Sequence, residues 1–423
     1  MRSANRRRIA VVGSGISGLS AAWVLQSAAD VTLYEADDRL GGHAHTHDVA
    51  RATGAPLAVD SGFIVHNECT YPTLLRLFAA LGVATAPSDM SMSVRCDGCG
   101  LEYAGARGLR GLFPAAQNLR RGAYLRLLTE VPQFHRAARA LLRTPPATVE
   151  PTLSQFVSTQ GWSDYFVSHF LAPMVAAVWS CAPGTAMQYP ARYLFRFLDH
   201  HGMLTVTGSP PWRTVVGGSR SYVTAIGKDL TAVHTATPIR ALSRTAGGVQ
   251  LRDDADTVAD YDAVVVATHP DQALHLLAAP TALETAVLGA IPYSVNHTVL
   301  HTDPSPLPRR PWARASWNYR LTGCADGVDA VLVTYDMNRL QALPGPTSYL
   351  VSLNDPTIED DRVIARMVYE HPIYTPASVA AQARLPELDD DRVVFAGAYH
   401  GWGFHEDGAA SGVRAAARLG VIW

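Results

Sequence analysis

The sequence predicts an α/β fold built on a Rossmann-like parallel sheet, and three observations lead to this prediction. First, residues 9–12 and 31–34 are short apolar runs without polar alternation, as in strands buried on both faces. Second, the motif GSGISG at residues 13–18 follows the first run at once and opens a helical pattern over residues 16–26. Third, the second run ends in Glu35, a carboxylate placed to accept hydrogen bonds from a ribose.

Each glycine of this motif has a physical role. Gly13 permits the tight turn after the strand, and Gly15 lets a pyrophosphate approach the backbone. Gly18 lets the helix lie close to the strand. The start of the helix presents free N–H groups and the positive end of its dipole, which favour phosphate. A dinucleotide site is therefore predicted at this end of the sheet.

The next loop separates FAD from NAD. Arg39, Gly41, Gly42 and His43 come just after the second strand, and Gly62 follows another strand end. Nothing in an NAD dehydrogenase requires a glycine pair at this point. In a large class of flavoproteins this loop passes under the pyrophosphate, where it needs a bare backbone and a cation. The sequence therefore predicts FAD, bound non-covalently.

The C-terminal segment supplies the other half of the predicted cofactor site. Residues 392–395 predict a strand that leads into Gly397, and residues 406–416 predict a helix rich in small residues. Its N-terminal turn contains Glu406, Asp407 and, one turn later, Ser411. We expect its dipole to face the anion that develops on a reduced flavin ring.

The predicted cofactor domain is discontinuous. The loop around Gly217 leads into a helix, and residues 263–268 predict another buried strand of the same sheet. These pieces flank insertions that are rich in aromatic residues. We predict an FAD-binding domain over residues 1–88, 211–285 and 389–423, and a mixed α+β substrate-binding domain over residues 89–210 and 286–388.

The chain resembles the flavin-containing amine oxidase and phytoene desaturase superfamily, which also includes protoporphyrinogen oxidases. Within it, the chain is most similar to a bacterial subgroup described as predicted NAD/FAD-binding oxidoreductases. The motifs that carry this resemblance lie at residues 13–18 with Glu35, 39–46, 59–67, 70–72, 216–219 and 403–408. The resemblance implies an amine-oxidase type of FAD-binding fold and an association with fatty-acid modification, including a lipid methyltransferase as a partner.

The resemblance also implies particular residue roles. It assigns the AMP and pyrophosphate side to Gly13, Gly15, Gly18, Glu35, Arg39, Gly41 and Gly42. It places Gly397 and the turn at residues 406–411 near the ribityl chain and the flavin ring. Many relatives carry an acid after the glycine of the last strand, where this chain has Ala398, so Glu406 or Asp407 is the candidate replacement.

The candidate catalytic residues come from the C-terminal loop. Tyr399, His400, Trp402 and His405 are expected closest to the flavin ring. We predict acid–base or substrate-orienting roles for Tyr399, His405 and Glu406, since a neighbouring carboxylate can hold an imidazole and tune its pKa. The alternative, that His405 only bonds the flavin or a backbone carbonyl, remains open.

Three functions remain open. The leading hypothesis is an FAD enzyme that moves hydride between flavin N5 and an apolar, fatty-acyl or lipid substrate, by desaturation, saturation or double-bond isomerisation. The second is an oxygen-using amine or porphyrinogen oxidase. It is less favoured because Lys228, the sole lysine, lies in a predicted surface helix. The third is a non-catalytic FAD-bound partner of a lipid methyltransferase.

Composition limits the partners and the compartment. The formal net charge of −2 and the pI near 6.8 do not indicate nucleic acid as a partner. Five sparse cysteines, an N-terminus without a signal-peptide pattern and no long apolar run lead us to expect a cytoplasmic protein. Arginines interleave with apolar residues over residues 112–142, which predicts an amphipathic helix; peripheral membrane contact there is the alternative to a plain covering helix.

Two further clusters are interpreted without a metal. His43, His45 and His47 alternate, as metal ligands on a strand could, but polar residues lining the cofactor are the favoured interpretation. Cys96 and Cys99 form a CxxC around an Asp-Gly turn signal. A structural zinc site of the usual spacing would need a second pair, so we predict a plain β-hairpin there.

Overall fold

The computed structural model describes residues 6–51, 54–146, 148, 150–205, 208–324 and 330–423. Residues 1–5 lie outside the described residues. They belong to the N-terminal segment in which we predict no signal peptide.

The strands in the described residues are numbered in chain order. They are β1 Arg8–Val12, β2 Asp30–Tyr34, β3 Thr46–Val49, β4 Leu57–Asp60, β5 Val65–Asn67, β6 Thr85–Pro87, β7 Met92–Cys96, β8 Glu102–Ala104, β9 Trp212–Val215, β10 Ala232–His234, β11 Ile239–Thr245, β12 Gly248–Asp253, β13 Val258–Tyr261, β14 Ala263–Val266, β15 Tyr293–His301, β16 Trp317–Leu321, β17 Val333–Asp336, β18 Leu350–Leu353, β19 Val363–Pro372 and β20 Val393–Phe395.

The α-helices are numbered in the same way. They are α1 Ile16–Leu25, α2 Pro72–Leu81, α3 Gly108–Leu112, α4 Gly122–Arg143, α5 Leu153–Gln160, α6 Asp164–Phe166, α7 Ala172–Trp179, α8 Pro183–Ala186, α9 Ala191–His200, α10 Arg220–Asp229, α11 Pro270–Leu276, α12 Ala282–Leu288, α13 Met337–Leu340, α14 Pro376–Gln382 and α15 His405–Arg418. A π-helical turn, Val167–Leu171, joins α6 to α7.

A parallel five-stranded sheet with the order β10-β2-β1-β14-β20 forms the centre of the predicted α/β fold. Its strands are buried on both faces, which explains their unbroken apolar runs. Along β1, Ile9 and Val11 face one hydrophobic core, whereas Ala10 and Val12 face the other. The α/β fold class is therefore confirmed.

Helix α15 packs against α1 on one face of this sheet. A Cβ atom on Gly412 would lie 2.1 Å from the Ser17 carbonyl oxygen, and one on Gly408 would lie 2.6 Å from Ile16 Cγ2. The small residues of α15 do permit a close approach, and the surface they meet is helix α1. The first and last helices of the chain are thus held together by direct packing.

A second sheet is mixed and has seven strands in the order β19-β15-β18-β17-β16-β7-β8. A large aromatic core lies between this sheet and the helices of residues 122–200, and it includes Phe134, Phe166 and Phe195. Burying each such ring stabilises the fold by about 1.5–3 kcal/mol. The exact limits between the two predicted domains stay a prediction.

The structure also shows the elements that the sequence predicts outside the site. Strands β7 and β8 pair antiparallel around the CxxC turn, as a hairpin. Helix α4 covers the aromatic core, and Pro132 lies inside it. Lys228 is exposed on α10, as expected.

Among the described residues, none of the helices combines the length and the apolar character that crossing a bilayer requires.

Candidate active site

A cavity of about 1070 Å³ lies where the two sheets meet. Its wall draws on the loop after β1, the end of β2, the loop after β14, strand β19 and the C-terminal segment before α15. The carboxyl ends of parallel strands are the usual ligand edge of an α/β sheet. Both ends of the polypeptide therefore contribute to one site.

The N-terminus of α1 opens onto this cavity. Gly13 has φ 97°, and a Cβ atom there would lie 2.7 Å from the Ala267 carbonyl oxygen. A Cβ on Gly15 would meet nothing within 4 Å, because that position faces the open cavity. The first turn of α1 contains no acidic residue, and no side chain caps it. The helix dipole is thus available to an anion.

A second bare backbone lies beside the first. Gly42 has φ 55°, and a Cβ atom on it would lie 3.2 Å from the Gly15 Cα. Both glycines line the cavity, as do Gly62 and His43. Two glycine loops side by side form a surface on which a pyrophosphate can lie against main-chain atoms.

Glu35 lies at the end of β2 and lines the same cavity. One of its oxygens accepts hydrogen bonds from the backbone N–H of Ser14 at 2.8 Å and from the Ser14 hydroxyl, and the other accepts from the Asp37 N–H at 3.0 Å. A carboxylate offers about four acceptor positions, so it retains capacity for a ribose hydroxyl.

Two cationic or polar atoms in this region have no partner among the described residues. They are Arg39 Nη1 and His43 Nε2, and both are shielded from solvent. A buried guanidinium N–H without an acceptor is costly, by about 1–3 kcal/mol. An anion bound in the cavity would satisfy Arg39, so these residues fit the pyrophosphate of FAD.

At the C-terminal side, Gly397 and Tyr399 line the cavity. The backbone N–H of Gly397 donates to Ser411 Oγ at 2.9 Å, which ties the end of β20 to α15. Tyr399 is 1% exposed, and its hydroxyl has no partner among the described residues. Burial raises the pKa of Tyr399, so its hydroxyl stays protonated and can donate into the cavity.

His405 lines the cavity, but its partner is not the predicted one. Its Nε2 lies 2.7 Å from the Tyr222 hydroxyl, and its ring stacks on Phe63 with the ring centroids 3.7 Å apart. Burial lowers the pKa of His405 to about 3, so the imidazole is neutral at physiological pH.

The structure corrects the predicted place of Glu406. Its carboxylate accepts hydrogen bonds from the backbone N–H groups of Thr73 at 3.0 Å and Leu74 at 2.9 Å, in the first turn of α2. Glu406 therefore caps a neighbouring helix and does not hold His405. The next residue, Asp407, accepts from the N–H of Phe404 at 2.9 Å and caps α15 itself.

Several residues predicted to bind the cofactor lie behind the cavity wall. They are Gly18, Gly41, Gly217, Glu406, Asp407 and Ser411. Gly18 allows the close approach of α1 to the Gly13 loop, where a Cβ would lie 1.9 Å from the Gly13 oxygen. Gly41 donates its N–H to the Ser14 carbonyl at 3.1 Å. These two glycines position the backbone of residues 13 and 14, which lines the cavity.

The Gly217 loop serves a different group. Within it, Ser219 donates its backbone N–H and its hydroxyl to the buried carboxylate of Asp60. Burial raises the pKa of Asp60 to about 6 despite these bonds. Gly217 does not line the cavity, and its contact with the cofactor stays a prediction.

The sequence prediction missed a polar cluster formed by His269, Tyr369, Glu370 and His371. All four residues line the cavity. His269 Nδ1 lies 2.9 Å from Glu370 Oε2, and the His269 ring stacks on Tyr293. Burial lowers the pKa of His269, although Glu370 opposes the shift. His269 follows β14 at the edge of the sheet where ligands usually bind, and this position in the sequence could have indicated a site residue.

The tautomer of His371 follows from its neighbours. The Asn296 amide nitrogen donates to the Ser180 carbonyl, while the Asn296 oxygen accepts from Asn354 at 2.8 Å. This orientation is fixed, so the same amide nitrogen, 3.2 Å from His371 Nδ1, donates to that atom. The proton of a neutral His371 is then on Nε2.

The fold and this cavity together define a class, a dinucleotide-binding flavoprotein whose cradle is formed by both chain ends. The family model of flavin-containing amine oxidoreductases matches residues 16–319. The chain belongs to this family. It is an FAD-dependent oxidoreductase, and non-covalent attachment of the FAD stays a prediction.

Solved structures share the whole fold at low identity. A fatty acid isomerase from P. acnes that produces CLA superposes with a TM-score of 0.70 at 15% identity, over 100% of both chains. Putrescine oxidase bound to putrescine superposes with a TM-score of 0.69 at 15% identity, over 98% of this chain and 99% of that one.

Curated relatives match only over short segments. An L-amino-acid oxidase from Pseudechis australis is 51% identical over 47 residues, which is 11% of this chain and 9% of that protein. The matched segments span between 9% and 19% of the length of such relatives.

Proposed function

We propose that this protein moves hydride between FAD and a carbon atom of an apolar, fatty-acyl or lipid substrate. The observation that carries the proposal is the apolar wall of the cavity beyond the glycine cradle. It includes Met92, Val178, Trp179, Phe197, Met203 and Trp317. Such a wall binds a hydrocarbon chain by removing its surface from water, at about 25 cal/mol per Å². The fatty acid isomerase of the same fold acts on a substrate of this kind.

The carboxylates of the cavity argue against an amine as the substrate. A cationic amine is held best by a carboxylate that has no other charge partner. Glu35 is assigned to the ribose. Asp37 forms an ion pair with Arg39, and Glu370 is paired with His269. Lys228 is exposed on α10 and does not line the cavity. A lysine that assists the reaction with oxygen is therefore not supplied by this chain.

The protein contributes positioning and proton handling. The bound flavin supplies hydride acceptance or donation at its N5 atom. The apolar wall orients the hydrocarbon and excludes water. His269 donates its Nδ1–H to Glu370, which leaves Nε2 as an acceptor that can take a proton and hold it beside the carboxylate. Tyr399 and His405 remain our candidates for orienting the reacting groups on the C-terminal side.

The test combines candidate substrates with a variant whose larger side chain fills the apolar part of the cavity. Oleic and linoleic acid are mixed anaerobically with the purified flavoprotein, and flavin absorbance, lipid products and deuterium uptake from heavy water are followed. We expect flavin reduction or an altered double bond with a fatty acid. Val178→Trp should remove the activity and keep the flavin, whereas Val258→Trp on an exposed strand should change neither.

Other outcomes favour the alternatives. Reduction by putrescine or benzylamine, followed by rapid reoxidation in air, would favour an amine oxidase and contradict our proposal. Unchanged lipids and an unreduced flavin under all conditions would contradict it as well, and would favour a non-catalytic partner of a lipid methyltransferase. His269→Asn should slow the conversion by about a hundredfold with the flavin retained, as expected for loss of a general acid–base group.

We also propose that helix α4 brings the protein to anionic lipid. Its outer side and the preceding turn expose Arg120, Arg136 and Arg143, and Leu119 and Leu125 are exposed on the same segment. Replacing the three arginines by glutamate should abolish co-flotation with phosphatidylglycerol vesicles at physiological salt. The same change at Arg240, Arg252 and Arg362 is the control. Absence of flotation by the unaltered protein would contradict this proposal.

A further inference from the structure

Four potential metal ligands meet at the outer end of the seven-stranded sheet. They are Cys96, Cys99, His169 and Cys324, and their ligand atoms all lie within 4.8 Å of one another. Cys96 ends β7 and Cys99 lies in the β7–β8 turn. His169 lies in the π-helical turn, and Cys324 follows β16. None of these four residues lines the flavin cavity.

Two distances within the cluster match tetrahedral coordination. Cys96 Sγ and Cys324 Sγ are 3.7 Å apart, and Cys99 Sγ lies 3.6 Å from His169 Nε2. With Zn–S bonds near 2.3 Å, neighbouring sulfurs in a tetrahedron lie about 3.8 Å apart. A disulfide needs about 2.05 Å, and all of these cysteines are free. Three sulfurs and one imidazole form a ligand set typical of structural zinc.

The imidazole of His169 is already oriented as a ligand. Its Nδ1 lies 2.8 Å from Ser168 Oγ, which is also 3.5 Å from the Tyr165 carbonyl oxygen. With a metal on Nε2 the imidazole proton would be on Nδ1, where this hydroxyl can accept it. The ring stacks on Tyr165 with the centroids 3.9 Å apart. Isolated π-helical turns often occur at functional sites, and this one sets the direction of His169.

The surrounding chain holds the ligands in place and balances charge. A Cβ on Gly98 would lie 3.0 Å from the Cys324 backbone nitrogen, so glycine permits this loop to pass against the CxxC turn. Asp97 forms ion pairs with Arg95 and Arg320, which fixes the turn on β16. Arg121 donates to the Cys99 carbonyl at 2.7 Å, and its buried Nε has no partner among the described residues.

We propose that Cys96, Cys99, His169 and Cys324 bind one structural zinc ion. On binding, three thiols release their protons to solvent, four Zn–ligand bonds form, and no redox change occurs. Zn²⁺ with three thiolates and a neutral imidazole carries a net charge of −1, which the guanidinium of Arg121 offsets. Cys324 is exposed and provides the route of entry.

The ion would support the substrate side of the flavin cavity. It would join the β7–β8 hairpin and the loop after β16 to the helix that runs from α6 through α7. The last residues of that helix, Val178 and Trp179, line the apolar wall. The zinc proposal does not depend on the identity of the substrate.

The test measures metal on the intact flavoprotein. The protein is expressed in zinc-supplemented medium and purified under reducing conditions without chelator, and zinc and flavin per chain are determined by mass spectrometry and absorbance. We expect about one zinc per chain. Cys324→Ser and His169→Gln should lower the zinc content about tenfold or more and keep the flavin. Cys69→Ser, at an exposed cysteine outside the cluster, should keep both.

A second measurement guards against misfolded variants. Metal-depleted wild-type protein is titrated with Co²⁺, and one equivalent should give the long-wavelength absorption of a tetrahedral thiolate site. Ser168→Ala should weaken the binding by about tenfold, since it removes the partner of His169 Nδ1. The proposal is overturned if reduced wild-type protein binds neither zinc nor cobalt, if Cys96 and Cys324 are recovered as a disulfide without metal, or if both ligand variants retain full zinc.

Discussion

Helices α1 and α2 begin close to the same C-terminal segment, yet their N-termini are used in opposite ways. The start of α1 has no acidic residue and no side-chain cap, and it opens onto the cavity at Gly15. The start of α2 is occupied, because both oxygens of Glu406 accept its free backbone N–H groups. Both termini present the same positive dipole end, and a carboxylate of the chain has filled only one of them.

This difference shows how a binding site is kept open. A helix terminus whose N–H groups are satisfied within the chain gains stability and has nothing left for a ligand. One that is bordered by Gly15 and Gly42 leaves its N–H groups to a phosphate. The sequence predicts a catalytic role for Glu406 because Glu406 follows His405. In the structure Glu406 instead accepts hydrogen bonds from helix α2, more than 300 residues earlier in the chain.

The largest expected effect is at the open terminus. Gly15→Leu should fold, because Gly15 has φ −60° and a Cβ there meets nothing. The leucine would fill the space for pyrophosphate and weaken FAD binding by about a hundredfold or more, or about 3 kcal/mol. Flavin content after purification is the measurement. Gly184→Leu, at another uncrowded glycine, is the control, and stoichiometric FAD in Gly15→Leu would contradict the cradle.

The next effect is at the cation beside that terminus. Arg39→Met should reduce FAD affinity by about tenfold to a hundredfold, since it removes a charged donor whose buried Nη1 has no partner among the described residues. Titration of apo-protein with FAD gives the dissociation constant. Arg76→Met, at an arginine that lies over the Trp423 ring, should leave it unchanged. An unaltered constant for Arg39→Met would mean that this guanidinium faces no phosphate.

At the occupied terminus the effect should be on stability instead. Glu406→Gln should lower the free energy of unfolding by about 1–2 kcal/mol, because the first turn of α2 loses its anionic cap. Flavin content and substrate turnover should stay near those of the wild type. A large loss of turnover with unaltered stability would instead restore the catalytic role that the sequence suggested for Glu406.

The last expected effect is a pH dependence of stability at the start of α15. Burial raises the pKa of Asp407 to about 7 from an ordinary 3.8. A raised pKa means that its contribution to stability is complete below the ordinary value and is lost as the pH rises through about 7. Asp407→Asn stays neutral, so the melting temperature of the wild type should fall relative to the variant between these pH values. A constant difference would show that Asp407 ionises normally.

The cofactor cradle could be predicted because its signals are local. Gly13, Gly15 and Glu35 belong to one strand–helix–strand unit, in which sequence spacing fixes the position in space. The last strand and α15 were predicted for the same reason, from periodicity and small residues. The cofactor contact of Gly217 stays a prediction, because a glycine-rich loop looks the same in sequence whether it borders a cofactor or a buried carboxylate such as that of Asp60, to which Ser219 of this loop donates.

The sequence by itself determined the fold class, the FAD site and the elements that form it, since repeating patterns and turn glycines act over short stretches of chain. The tertiary structure decided which side chains meet. His269 and Glu370 are 101 residues apart, and Cys96 and Cys324 are 228 apart. Such pairs depend on how the strands align across each sheet, and no local pattern records that alignment.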